Sequence, residues 1–297
     1  MNFFEKWQKV GAAEMIAQSS IRLCRDIWAM GLIERERIGQ ASQQFAFRTP
    51  ANFELATMVK SLFDICLAEL CGNFLCDDVE LLPCACKQRL IEFFVSHDQI
   101  NTSDCVGLLS RPAFGHNLTR LYFYLSEQIN DEILTALTAS NQHLEHISII
   151  ECPQVGDQKN NVTLLFWGII SVTENQGRLK KLELRCLRKI TSHCLKSIVS
   201  PLLYDVDLSG CSQLDSEGIF YLVFNNPSIR RLCLNHCRGL DDQALYDIAH
   251  CIGEGLRVLE LDFLHRSKMT ERGVAIANLS RRCPNMAHLS LCCFFRV

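Results

Sequence analysis

The sequence predicts an α/β solenoid with a parallel sheet on its concave face and helices on its convex face, preceded by an α-helical region. Three observations predict it. First, from residue 118 onward an apolar triplet of the form L-x-x-L-x-L recurs seven times: Leu118-Leu121-Phe123, Leu144-Ile147-Ile149, Leu179-Leu182-Leu184, Leu203-Val206-Leu208, Ile229-Leu232-Leu234, Leu256-Leu259-Leu261 and Met286-Leu289-Leu291. The starts lie 26, 35, 24, 26, 27 and 30 residues apart, the long second step reflecting an insertion near 157–161. Second, eight residues after the first apolar position a cysteine recurs, as Cys152, Cys211 and Cys237. Third, eleven residues after it come Ile129, Val155, Ile190, Leu214 and Leu240, followed by Asn130, Gly156, Thr191, Asp215 and Asp241, mostly good helix N-caps. The sixth unit moves this turn two residues later, to Met269-Thr270.

Each unit therefore reads as strand, turn, helix. Helical apolar residues follow the caps, as in Leu195, Ile198 and Val199, or Leu245, Ile248 and Ala249. A unit of this kind buries its apolar face only by stacking on its neighbours. The array spans 117–297. Its last strand runs straight into Cys292-Cys293-Phe294-Phe295-Arg296-Val297, which predicts an apolar edge in a shortened chain or one covered by a partner or second copy.

Ahead of the array, residues 1–49 read as an amphipathic helical extension, with Phe3, Phe4, Trp7 and Val10, then Ile21, Leu23, Ile27 and Trp28, at helical spacing. Thr49-Pro50 marks a boundary, since the residue before proline avoids helical angles. Residues 50–116 form a second helical region, placed to cap the array. Asn52 is its N-cap and Glu54 lies in the first turn of a helix over 52–71. Leu55, Met58, Val59, Leu62, Phe63, Cys66, Leu67 and Leu70 are too widely spread for a solvated helix, so it lies between helices or covers a partner. A further helix starts at Leu82-Pro83 and runs through Phe94, with proline in its first turn.

Composition narrows the function. The chain of 297 residues is 48% hydrophobic and 21% charged, enough for a sizeable core. A net charge of −3 offers no basic stripe for nucleic acid. The longest apolar run, Val162 to Val172, is eleven residues and too short to span a bilayer. Charges within Met1–Trp7 argue against a secretion signal, so the seventeen cysteines read as reduced thiols of a cytoplasmic or nuclear protein. Cys71, Cys76, Cys84 and Cys86, with His97 or Cys105, lack the two tight pairs of a structural zinc site and read as packing thiols. No histidine is marked as the base of a nucleophile, so no catalytic residue, metal or cofactor is expected.

The outward strand positions are the candidate substrate-binding residues: Tyr122, Tyr124, Glu183, Arg185, Asp207, Asn235, Glu260 and Asp262, with Ser148, Ile150, Ser209, Cys233, Ser290 and Cys292 between and beside them. A broad sheet face suits a protein or peptide ligand. The acids Glu183, Asp207, Glu260 and Asp262 point to a basic one, and the tyrosines to aromatic anchors.

The repeat pattern, with its internal cysteine and the Leu-Ser-Gly-Cys at 208–211 and Cys283-Pro284, resembles the cysteine-containing leucine-rich repeats common in F-box receptor proteins. Upstream, Ser61-Leu62-x-x-x-Cys66-x-x-x-Leu70 resembles the elongin-binding box of substrate receptors of cullin ubiquitin ligases, and Leu82-Pro83-x-x-Cys86-x-x-x-Leu90 is similar to the cullin-2 box that follows it. The second motif departs from its pattern at Cys86, where an aliphatic residue is usual. This order of parts looks like the Zyg-type leucine-rich receptors, without their armadillo-like carboxyl half. The resemblance implies that Leu62 anchors elongin C with Ser61, Cys66 and Leu70 in support. It further implies that Leu82, Pro83 and Leu90 face a cullin, cullin-2 by the motif, and that elongin B and a protein substrate complete the partners. The Leu-Pro start also resembles an F-box opening, without its continuation. The other class the sequence allows is a leucine-rich scaffold with no ligase link.

Overall fold

A computed structural model describes residues 82–96, 100, 103–156, 168–264, 267–270 and 272–294. The chain has two compact units, and the elements described all belong to Pro83–Val297. They are α1 (Cys84–Ser96), α2 (Ser103–Leu109), α3 (Pro112–Gly115), β1 (Arg120–Tyr124), α4 (Asp131–Thr138), β2 (His146–Ile150), α5 (Gly168–Thr173), β3 (Lys181–Arg185), α6 (Ser192–Ser197), β4 (Asp205–Asp207), α7 (Ser216–Asn225), β5 (Arg231–Cys233), α8 (Asp242–Cys251), β6 (Val258–Glu260), α9 (Arg272–Arg282) and β7 (His288–Ser290). The fold is α/β: among the described residues, one seven-stranded parallel sheet and nine helices, an arrangement compatible with a repeat solenoid.

The strands pair in chain order, β1 to β7, each in register with the next. The register follows the triplets, with Leu121, Ile147, Leu182, Val206, Leu232, Leu259 and Leu289 side by side. Strand alternation sends these and the third triplet residue to one face, where all but the last triplet are buried. Each such leucine or isoleucine contributes about 1.5–3 kcal/mol by leaving water. Met286, Leu289 and Leu291 of the last triplet are only half-buried, because no further strand pairs with β7 among the described residues. Successive helices α4 to α9 pack on one another, closing the layer that covers this core.

The turns obey the same repeat. Asn130, Thr191, Asp215 and Asp241 cap α4, α6, α7 and α8, each side chain accepting a hydrogen bond from a backbone N–H of the first turn. The caps are tied across units: Ser192 Oγ donates to Asp215 Oδ1 at 2.6 Å and Ser216 Oγ donates to Asp241 Oδ1. Cys211 and Cys237 are buried in the turns after β4 and β5, and their thiols donate to the carbonyls of Leu184 (3.0 Å) and Leu208 (3.2 Å) of the preceding unit. Buried amides close the helix-to-strand turns. Asn226 Nδ2 donates to the Ile198 and Leu222 carbonyls while its Oδ1 accepts from Ser200 N.

At the first strand the edge is covered by α1, which packs on β1. Gln88 Oε1 accepts from Arg120 N at 3.1 Å, Lys87 Nζ donates to the Ala113 carbonyl at 2.9 Å, and Cys84 Sγ donates to the Asn117 carbonyl. The first of these satisfies a strand-edge donor that no strand reaches.

Candidate functional site

Alternation leaves the other face of the sheet outward, and the register sorts its side chains into rows. The middle row is Tyr122, Ser148, Glu183, Asp207, Cys233, Glu260 and Ser290. Beside it runs Arg120, His146, Lys181, Asp205, Arg231, Val258 and His288, a row that the sequence reading passed over. The third row begins with Tyr124, Ile150 and Arg185.

The acids do not form an open acidic patch, because each is held within the sheet. Glu183 accepts from Ser148 Oγ at 2.6 Å and pairs with Lys181 at 2.8 Å. Lys181 also reaches Asp205 at 3.6 Å, and Asp205 pairs with Arg231 at 3.2 Å. Arg231 turns its second nitrogen to Glu260 at 2.8 Å, which also accepts from Asn235 Nδ2 at 3.0 Å. Asp207 is 8% exposed, its carboxylate accepting from Ser209 N and lying 3.6 Å from Arg185. Asp262 accepts from Ser290 Oγ at 2.7 Å and Cys292 N at 2.6 Å, and Asn235 Oδ1 accepts from Asp262 N. Burial raises Glu183, but the hydrogen bonds from Lys181 and Ser148 outweigh it and hold its carboxyl below the usual range. Glu260 behaves likewise, with burial overcome by Cys233, Asn235 and Arg231. A basic ligand would have to displace these partners, so the expected preference for one loses its basis in charge.

The remaining outward positions are aromatic, polar or apolar. Tyr122 and Tyr124 stack with centroids 6.5 Å apart and rings 13° from parallel, Tyr124 being 38% exposed. Arg185 is exposed beyond them. Ser148, Ser209 and Cys233, expected on the solvated face, are buried. Among the described residues no group of three or more His, Cys, Asp or Glu is placed to hold a metal ion.

A second row also escaped sequence reasoning. Leu125, Glu151, Cys186, Gly210, His236, Phe263 and Cys293 each stand seven residues after the first apolar position, and all have φ between 50° and 80°. The amide of each of the first six donates to the next unit, from Leu125 N to the Ile150 carbonyl at 2.9 Å through to Phe263 N to the Cys292 carbonyl at 2.7 Å. The left-handed turn lets the ladder continue past the strand end while the chain bends toward its helix. Only Gly210 carried a residue-type signal for it. The other side chains project into solvent, and the rings of His236 and Phe263 stack at 4.4 Å.

Of the adaptor-binding candidates, Ser61, Leu62, Cys66 and Leu70 lie outside the described residues. Leu82 is buried and Pro83 half-buried. Leu90 is 1% exposed and Cys86 is buried as well, so neither is presented for docking in this structure.

No protein-family model matches the chain, and no curated protein matches it. Among solved structures, the chain is similar to the actin-binding site 2 of leiomodin-1, with 12% identity over 61% of this chain and 86% of that one, at a TM-score of 0.33. It is similar to Rad7 in its complex with Elc1 from yeast, with 14% identity over 78% of this chain and 87% of that one, at a TM-score of 0.27. It is also similar to the tropomodulin C-terminal domain of Caenorhabditis elegans, with 15% identity over 61% and 90% and a TM-score of 0.34.

Proposed function

We propose that the chain is a leucine-rich-repeat solenoid acting as a non-catalytic protein-recognition subunit. In the finer reading it is a substrate receptor of a cullin–RING ubiquitin ligase in the cytoplasm or nucleus. The observation that carries the recognition role is the outward sheet face, where self-paired charges lie beside the stacked Tyr122 and Tyr124. A face whose charges are already paired has little use for a small ion. Its exposed aromatic and polar edge suits contact over a wide area with a folded protein.

The ligase assignment is supported by Ser61, Leu62, Cys66 and Leu70, spaced as in an elongin-binding box, followed by the Leu82-Pro83 start of a cullin-2-like segment. In this reading helix 52–71 holds elongin C, and with it elongin B, while the sheet holds the substrate. The subunit then works by proximity, raising the effective concentration of substrate lysines near a recruited ubiquitin-conjugating enzyme. A repeat scaffold without a ligase is the second reading, favoured by the burial of Cys86 and Leu90 in the segment offered to the cullin.

Co-purification of the full chain with elongins B and C separates the two. The receptor reading expects a stable complex that Leu62→Asp abolishes and that Tyr124→Ala leaves intact. Absence of the complex, or its survival in Leu62→Asp, leaves the scaffold.

A further inference from the structure

The helix ends and strand entries of the later units share one edge. Backbone hydrogen bonds stack Tyr204, Arg230 and Arg257 along it: Arg230 N donates to the Tyr204 carbonyl and Arg257 N to the Arg230 carbonyl, both at 2.8 Å. Between the ends of α8 and α9 this edge opens into a cleft of ≈ 660 Å³, lined by Pro227, His250, Gly253, Glu254, Arg281 and Arg282 among others. Gly253 is required there. A Cβ on it would lie 2.3 Å from the Ala249 carbonyl oxygen and 2.6 Å from that of Arg282, so only glycine lets the two helix ends come this close.

The charge of this edge differs in kind from that of the sheet. There, Lys181, Arg185 and Arg231 all face carboxylates. Here, Arg230, Arg257, Arg281 and Arg282 are in no salt bridge among the described residues, and the hydrogen bond described between two lining side chains joins two bases, Arg282 Nη1 to His250 Nδ1 at 3.5 Å. Glu254 is the single acid of its lining. Toward the earlier units the same edge becomes apolar. Phe224, in the last turn of α7 and 62% exposed, is joined there by exposed Val199, Leu202 and Tyr204. Pro227, three residues beyond Phe224, lines the cleft and links the two parts.

We propose that this edge is a docking groove for an acidic peptide segment of a partner protein, one carrying a bulky apolar residue beside a run of carboxylates. The arginines take the carboxylates and the Phe224 patch takes the apolar side chain. Charge complementarity selects this occupant: a basic or purely apolar segment would leave four arginines facing it uncompensated. The groove lies apart from the outward sheet face and functions whether or not that face holds a ligase substrate.

The test measures fluorescence anisotropy of a fluorescein-labelled peptide, one phenylalanine followed by six glutamates, titrated with the full chain at low salt. Saturable binding is expected, weakened about tenfold or more by the double variant Arg281→Glu/Arg282→Glu and by Arg257→Glu, and weakened by high salt as exposed charge pairs are. Phe224→Ser should lower the affinity for this peptide but not for its analogue with serine in place of phenylalanine. Arg188→Glu, an exposed charge outside the groove, should change nothing. All five positions carry solvent-exposed side chains, and melting curves check that each variant remains folded. Absence of saturable binding, equal affinity in both arginine variants, or equally tight binding of a thymidine oligonucleotide would overturn the proposal.

Discussion

The imidazole of His236 lies against the ring of Phe263 with centroids 4.4 Å apart and planes 9° from parallel, although both residues sit in left-handed backbone. A left-handed conformation costs a side-chain-bearing residue about 1–2 kcal/mol. The stack returns about 0.5–1.5 kcal/mol of it, so His236→Gly and Phe263→Gly should be close to neutral. Cys186 has the same backbone (φ 56°) and an exposed thiol with no ring to stack on, so Cys186→Gly should stabilise by about 1 kcal/mol. The reverse change is severe. At Gly210 (φ 80°) a Cβ would stand 2.8 Å from Cys186 Sγ and 3.2 Å from its Cα, so Gly210→Ala should cost about 2 kcal/mol or more. Urea unfolding midpoints of the four variants check the order.

The cap ladder should make stability fall in acid. Burial raises the Asp215 carboxyl, but the hydrogen bonds from Ser192 and Gly218 N–H outweigh it and the folded pKa lies below the ordinary value. A depressed carboxylate stabilises the fold above its unfolded pKa, and that stability is lost as pH falls through the folded pKa. Asp215→Asn keeps an acceptor for Gly218 N–H but removes the titration. It should therefore flatten the fall in unfolding midpoint below about pH 4, the ordinary aspartate range. Asp215→Ala removes the cap and should cost about 1 kcal/mol at neutral pH.

A second pH dependence sits nearer neutrality. His146 lies between Arg120 and Lys181 in the register, and burial first, then Arg120, hold its imidazole below the usual range, with Lys181 and Lys180 adding to this and Glu145 opposing it. The folded state resists the proton that the unfolded chain accepts. Stability contributed here is present above about pH 6.5 and is lost as pH falls below it. Following the His146 ring protons by NMR should give a midpoint below that of a denatured control, and His146→Leu should remove the loss of stability between neutral pH and that midpoint.

How much of this was legible in the sequence depends on whether a residue's type or only its place carries the signal. The triplets, the caps Asn130, Thr191, Asp215 and Asp241, and the turn cysteines could be read because burial, N-cap chemistry and small thiols each select a residue type. The left-handed row could not. His236 and Phe263 occupy it by geometry alone, and only counting from the triplet aligns them with Gly210. Charge on the sheet was misjudged for a related reason. Glu183 and Glu260 were legible as outward acids, but their partners Lys181 and Arg231 stand in the neighbouring row. Lys181 is two residues from Glu183 on the same strand, while the bonds from Ser148 to Glu183 and from Arg231 to Glu260 cross units that a linear reading keeps apart.

Among the described residues, a buried and an exposed group of thiols should be told apart by chemical labelling. Burial pushes Cys211 up to about 12 and raises Cys237 further, and both donate to carbonyls of the preceding unit. With a pKa near 12 only about one Cys211 in ten thousand is a thiolate at pH 8, and the thiolate is the reactive form. Cys186, Cys292 and Cys293 are exposed at the ends of their strands. Reaction of the folded protein with a chromogenic disulfide reagent should therefore lose fast-reacting equivalents in Cys186→Ser and in Cys292→Ser/Cys293→Ser. Cys211→Ser and Cys237→Ser should leave the fast phase unchanged and remove equivalents only from the total measured in denaturant. Fast modification assigned to Cys211 or Cys237 would mean that the turns after β4 and β5 open readily, against the burial that orders them.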